Sequence, residues 1–134
     1  MPNNLTTIQN IYAAFGRGDV PAILEHITDE CVWEYGLAPH DIPWLQRRTG
    51  RTGAGEFFQT LVSETEVKSF EVPSLLATDR LVVALVNIEF LVKRTGKTVR
   101  ETDEVHLWHF DDKGRVIKFR HCADTLQHAR ALQA

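Results

Sequence analysis

The sequence predicts an α+β fold in which helices come first and a strongly bent antiparallel sheet follows. Three observations carry this reading. Apolar residues recur at helical spacing in the first half, β-branched and aromatic runs separated by hairpin-type turns fill the second half, and a capped helix closes the chain.

Ile8, Ile11, Tyr12 and Phe15 follow the i, i+3, i+4, i+7 pattern of an amphipathic first helix, which Gly16 and Gly18 end. Asp19 then offers a capping oxygen, Pro21 suits a first turn, and Val20, Ile23, Leu24 and Ile27 supply the stripe of a second short helix. Thr28-Asp29-Glu30 breaks it, and Cys31-Val32-Trp33-Glu34-Tyr35 has the content of a strand. Residues 36–52 hold two prolines and two glycines around Trp44 without a sustained period, which predicts a long loop able to act as a lid. Helical spacing returns over 53–64, with Phe57, Phe58, Leu61 and Val62 on one face. Strands are expected over 66–77, 81–94, 98–110 and 115–123, joined by tight turns. Asp124, with Gln127 three residues on, has the spacing of a capping box for a last helix through Ala131.

Composition narrows the function classes. The 134 residues are 43% apolar and 25% charged, with 15 basic against 18 acidic side chains and a net charge of −3. This is the balance of one ordinary domain spanning residues 1–134, long enough to fold without a metal or disulfide and to enclose a small cavity. No basic face exists for nucleic acid, and Arg47-Arg48-Thr49-Gly50-Arg51 reads as a solvated loop. No apolar run reaches the length of a membrane span, and the opening MPNNLTT lacks the charged and apolar regions of a secretion signal, so a cytoplasmic protein is expected. Cys31 and Cys122 form no CxxC pattern, and both lie in strand-like segments where cysteine acts as a small buried hydrophobe.

The N-terminal IYAAFGRGDVPAILEHITDECVWEYG resembles the opening of the nuclear-transport-factor-like superfamily, and the C-terminal ETDEVHLWHFDDKGRVIKFRHCADTLQHARAL resembles the end of its SnoaL-like polyketide cyclase and ketosteroid-isomerase-related branch. The resemblance implies a cone of curved sheet wrapped around the helices, an apolar cavity inside it, and a homodimer formed through the sheet. It does not imply one reaction, because this fold carries several chemistries and none.

Placed on the steroid-isomerase pattern, the general base falls on Tyr35 with Glu34 beside it, the oxyanion-hole tyrosine on Ile11 next to Tyr12, and the protonated aspartate on His106. These departures count against steroid-type isomerisation. The cyclase branch ends its last strand in a pattern like Phe119-Arg120-His121-Cys122-Ala123-Asp124-Thr125, which makes Asp124 the matching acid/base, with His106 or His109 as the histidine of the neighbouring strand. Strand alternation puts Glu104, His106, Trp108 and Phe110 on one face and Phe119, His121 and Ala123 on another. The catalytic candidates are therefore His106, His121 and Asp124, with the helix cap as the structural alternative for Asp124. Tyr12, Trp33, Tyr35, Trp44, Trp108 and Phe119 are the candidates for contact with a flat apolar ligand. Glu101-Thr102-Asp103 replaces the arginine of an epoxide-hydrolase pair and reads as hairpin charge. His106, His121 and Glu104 show no ligand-spacing motif, so no metal or cofactor is expected. The expected function is small-molecule binding, with acid/base chemistry of isomerase, cyclase or lyase type on an apolar carbonyl or polycyclic compound. A non-catalytic binding or dimeric interaction protein is the alternative.

Overall fold

The structure, a computed structural model, describes residues 3–36 and 38–134; Met1 and Pro2 of the opening segment, and Leu37 of the predicted loop, lie outside the described residues. Ten elements follow in order: α1 (Asn4–Gly16), α2 (Val20–Leu24), β1 (Ile27–Glu34), β2 (Arg48–Thr49), α3 (Gly50–Glu64), β3 (Thr65–Ala77), β4 (Leu81–Val92), β5 (Thr98–Phe110), β6 (Val116–Cys122) and α4 (Thr125–Ala131). The expected α+β architecture is present, with the N-terminal helices packed against a curved, unclosed sheet of six strands in the order β2-β1-β6-β5-β4-β3. No helix among the described residues is long and apolar enough to cross a membrane.

Local chemistry accounts for the ends of the helices. The side chains of Asn3, Asp19 and Asp124 accept from backbone N–H groups of Thr6, Ala22 and Gln127 and so cap α1, α2 and α4. At the start of α3, Gly50 holds φ +73°, and a β-carbon there would run into the Asp29 carbonyl oxygen. Glycine is required at that point both for the backbone angle and for the close approach of β1.

Strands β3 to β6 form consecutive antiparallel pairs as expected, whereas β1 lies parallel to β6. That pairing brings the N-terminal strand beside the last one and puts Trp33 opposite Phe119. The strand also starts earlier than its composition suggests. Ile27 already pairs with Val116, and the polar Asp29-Glu30 that read as a breaker sit exposed in the irregular stretch before Val32 resumes the ladder. The basic run is not a solvated loop either. Arg48 and Thr49 pair with β1, Gly50 opens α3, and Arg51 donates to the carbonyls of Leu24 and Ile27.

Strand β5 contains the feature that matters most for the site. Val86 pairs with Glu104 and Ile88 with Glu101, so two β5 residues, Thr102 and Asp103, oppose the single Asn87. Asp103 adopts φ +59°, the left-handed region, and its N–H donates to the Asn87 side-chain oxygen at 3.0 Å. This bulge reverses the alternation of β5, so Glu101 and Glu104, three residues apart, both face inward.

Candidate functional site: a polar pole in an aromatic cavity

The concave face of the sheet and helices α1 and α3 enclose a cavity of about 60 Å³. Its wall is largely aromatic, with Trp33 from β1, Phe57 and Phe58 from α3, Phe90 from β4, Trp108 from β5 and Phe119 from β6. Trp33 forms the hub, its ring centroid 4.2 Å from Phe119 and 5.9 Å from Trp108. Room for a few waters is far below the several hundred Å³ of a drug-sized site, so a ring-bearing ligand must displace side chains to enter. Phe15, Leu61 and Phe70 line both this cavity and the surface groove between α1, α3 and β3. These three side chains are shared by the two.

One end of the cavity is polar, and the register of β5 on β6 creates it. His106 and His121 are direct cross-strand partners with ring centroids 4.7 Å apart. Both turn Nε2 toward the same carboxylate oxygen, Glu104 Oε1, at 2.7 Å for His106 and 2.5 Å for His121. All three side chains are buried. Burial pushes the Glu104 carboxyl upward, but the neighbouring His121 charge and the hydrogen bonds from both imidazoles outweigh it and hold the group below the ordinary carboxylate range. Glu104 is then an anion, and both Nε2 atoms donate to it.

Tautomers follow from this arrangement. With Nε2–H donated to Glu104, His106 accepts at Nδ1 from the Tyr12 hydroxyl of α1 at 2.6 Å. Tyr12 in turn accepts from Trp108 Nε1–H at 3.0 Å. Burial raises the Tyr12 phenol far above its usual value, so it keeps the proton it donates. Burial also lowers His106 to about 4, against the hydrogen bond to Glu104 that favours the charged ring. His106 is a neutral imidazole with both nitrogens engaged. His121 differs, because its Nδ1 is buried and has no hydrogen-bond partner.

A second polar chain joins the first. Trp44 Nε1–H donates to His128 Nδ1 at 2.9 Å, and His128 Nε2–H donates to Glu101 Oε2 at 2.7 Å. An indole N–H can only donate, so Nδ1 of His128 carries the lone pair and the proton sits on Nε2. Glu101 Oε1 accepts the backbone N–H of Asp124. Burial raises the Glu101 carboxyl, the His128 hydrogen bond opposes that, and contact with Glu104 adds to it.

Two trios offer metal-type donors, Glu104-His106-His121 and Glu101-Glu104-His128, each with ligand atoms within 4.8 Å of one another. Trp44 removes the second, since His128 has no lone pair to give at Nε2. In the first, the nitrogen–oxygen separations of 2.5 and 2.7 Å are hydrogen-bond distances, shorter than the roughly 3.3 Å between ligands on a tetrahedral zinc. As arranged, the trio holds protons.

The structure brings His106, His121, Tyr12, Trp33, Trp44, Trp108 and Phe119 to one cavity. It does not bring Asp124, which is exposed and caps α4 through Gln127, nor Tyr35, which is buried behind the wall and accepts from Trp33 Nε1–H at 2.7 Å. Glu34 faces the other side of β1, among Arg47, Lys118 and Arg120. Trp44 is no lid. It is 1% exposed, and with Ile42 and Leu45 it anchors the loop into the core. Cys31 is buried with its thiol pushed up to about 12 by burial, which leaves it inert, whereas Cys122 is exposed rather than buried. The buried Glu101–His128 pair escaped sequence reasoning. The residue pair Glu101 and Glu104 breaks period 2, and only the strained Asp103 reveals why.

A curved sheet around helices with an apolar, single-ended polar cavity defines the nuclear-transport-factor-like class. Residues 8–119 match the SnoaL-like domain, and the chain belongs to that family. An NTF2-like protein from Burkholderia xenovorans LB400 is 25% identical over 97% of this chain and 95% of its own, with a TM-score of 0.84. One from Burkholderia thailandensis E264 is 23% identical over the whole of both chains, with a TM-score of 0.85. TerC, crystallised with polyporic acid, is 20% identical over 98% of both chains, with a TM-score of 0.80. No protein of curated function matches the sequence.

Proposed function

We propose that the chain is a cofactor-independent enzyme of isomerase, cyclase or lyase type that moves a proton on a flat apolar carbonyl or polycyclic compound, working in the cytoplasm as a homodimer. The observation that carries this reading is the unpartnered, buried Nδ1 of His121 at the one polar end of an aromatic cavity. In this reading His121 Nδ1 relays the proton between two atoms of the substrate, and Glu104, bound to Nε2, stabilises the imidazolium. His106 remains neutral and, through Tyr12 and Trp108, keeps Glu104 in place. Asp124 has a structural role only. The ligand enters past Phe15, Leu61 and Phe70. That TerC was crystallised with polyporic acid agrees with a small-molecule occupant for this fold.

The test is enzyme-dependent hydrogen–deuterium exchange at the α-carbon of a panel of aryl ketones and cyclic 1,3-diketones, followed by NMR. His121→Asn should lose at least about a hundredfold in rate, the usual contribution of a positioned base. Asp124→Asn should leave the rate unchanged. Exchange that proceeds equally in wild type and His121→Asn removes the catalytic reading.

A further inference from the structure

The aromatic cavity is smaller than the ring system its walls would sandwich. About 60 Å³ holds a few waters, so a bound ring needs space that the closed form lacks. The surface groove between α1, α3 and β3 measures about 590 Å³, and Phe15, Leu61 and Phe70 face it on one side and the cavity on the other. Phe15 and Leu61 stand on helices, whereas Phe70 stands on a strand at the end of the sheet order, paired with β4 alone. That ladder is irregular on both sides of Ser69-Phe70-Glu71, between Val67 and Ser69 and again between Glu71 and Ser74. The Phe70 ring itself rests on Tyr12 and Phe15, with centroids 5.6 and 4.9 Å away. It is the part of the cavity wall with the least backbone support.

The groove carries exposed apolar side chains: Val62 of α3 is 69% exposed and Val67 of β3 is 37% exposed. Its cations are already engaged, since Lys68 pairs with Glu66 at 2.9 Å and Lys93 Nζ donates to the Val62 carbonyl at 2.9 Å. We propose that cavity and groove form one elongated site whose ligand is a flat ring system bearing an unbranched aliphatic chain. Phe70 swings outward to admit the ring, and the chain lies along Val62 and Val67. The proposal rests on the small-molecule reading above and narrows its substrate class. A ligand made of rings alone leaves both valines in water, whereas a chain gains with every methylene laid against them. An anionic tail would have to draw Lys68 from Glu66 or Lys93 from its carbonyl, so the apolar chain fits the groove better.

Acetophenone, butyrophenone and hexanophenone share one aryl ketone head and lengthen the chain by two methylenes at each step. Binding is titrated by NMR, the ring through the indole N–H resonances of Trp33 and Trp108 and the ring protons of Phe70, the chain through the backbone amides of Val62 and Val67. In the wild-type protein the dissociation constant should fall at least about fourfold per step, the gain from half-burying two methylenes. Val62→Asp and Val67→Asp should flatten the series to less than about twofold per step while leaving acetophenone affinity unchanged. Leu126→Asp, at a residue of α4 that is 59% exposed and outside the groove, should keep the wild-type increments. Equal affinities along the wild-type series, or increments that survive both groove variants, overturn the proposal and leave a ring site without a tail. So does a Phe70 ring that stays unshifted while Trp33 responds. If no member of the series moves the indole resonances, the small-molecule reading itself falls, and the elongated site with it.

Discussion

Indole nitrogens, which can only donate, set two of the hydrogen-bond directions in this site. Trp44 sets the tautomer of His128, and Trp108 orients the Tyr12 hydroxyl so that it donates to His106. Replacing Trp44 with Phe keeps the ring and strands His128 Nδ1 in the core, at a cost of about 1–3 kcal/mol; a urea titration measures it. His106 supplies a pH dependence with a definite sign. Its folded pKa, about 4, lies below the ordinary 6.5, so between those values the unfolded chain binds more protons at this position. Stability should fall as pH drops through that window, and the fall should flatten in His106→Asn. Glu101 works the other way, because its carboxyl is raised in the folded chain and protonation on acidification favours that state. Glu101→Gln should therefore steepen the acid loss, as urea midpoints across the window will show. The strand histidines, with Trp108 and Phe119, were legible from alternation. Glu101 and His128 were not, because one lies beyond a bulge and the other on a short helix whose phase a single turn leaves open.

At the scale of elements, the hairpins were readable to within two residues because their turns are local signals. The second helix, by contrast, ends three residues before its apolar stripe does, and α3 starts three residues before the spacing that marked it. Asp124 illustrates the limit. Its motif suggested chemistry, and its geometry shows a cap, so Asp124→Ala should cost about 1 kcal/mol of stability, read from urea titration, while the exchange rate stays that of the wild type. Gly50 is the stricter case: Gly50→Ala sets a β-carbon against the Asp29 carbonyl at positive φ, and a lowered melting temperature should exceed that of the cap variant. Neither the extension of β1 to Ile27 nor the short β2 was visible in composition, because both depend on a partner strand distant in sequence.

For the whole molecule, the parallel contact of β1 with β6 sets Trp33 against Phe119 in the cavity wall and was beyond any local signal. The outward face of the sheet bears a row formed by Leu76, Val83 and Leu107, which successive pairings set side by side, with Leu85 and Val105 in the adjacent row. Leu76 is 58% exposed. The proposed homodimer would cover this face, and Leu107→Glu should then convert a dimer to a monomer in light scattering without altering the cavity. A wild-type protein that is monomeric at micromolar concentration removes the dimer.

The bulge at Thr102 and Asp103 divides β5 into two stretches of opposite parity: Val99 and Glu101 point inward at odd positions, and Glu104, His106, Trp108 and Phe110 do so at even ones. A saturation scan of the strand should accordingly show intolerance at alternate residues, then two tolerant neighbours in succession, then intolerance resuming out of step. Deleting Asp103 would leave Thr102 alone between the two glutamates and merge the stretches into one rhythm, with Arg100 still in water and Glu101 and Glu104 still inward but now only two positions apart.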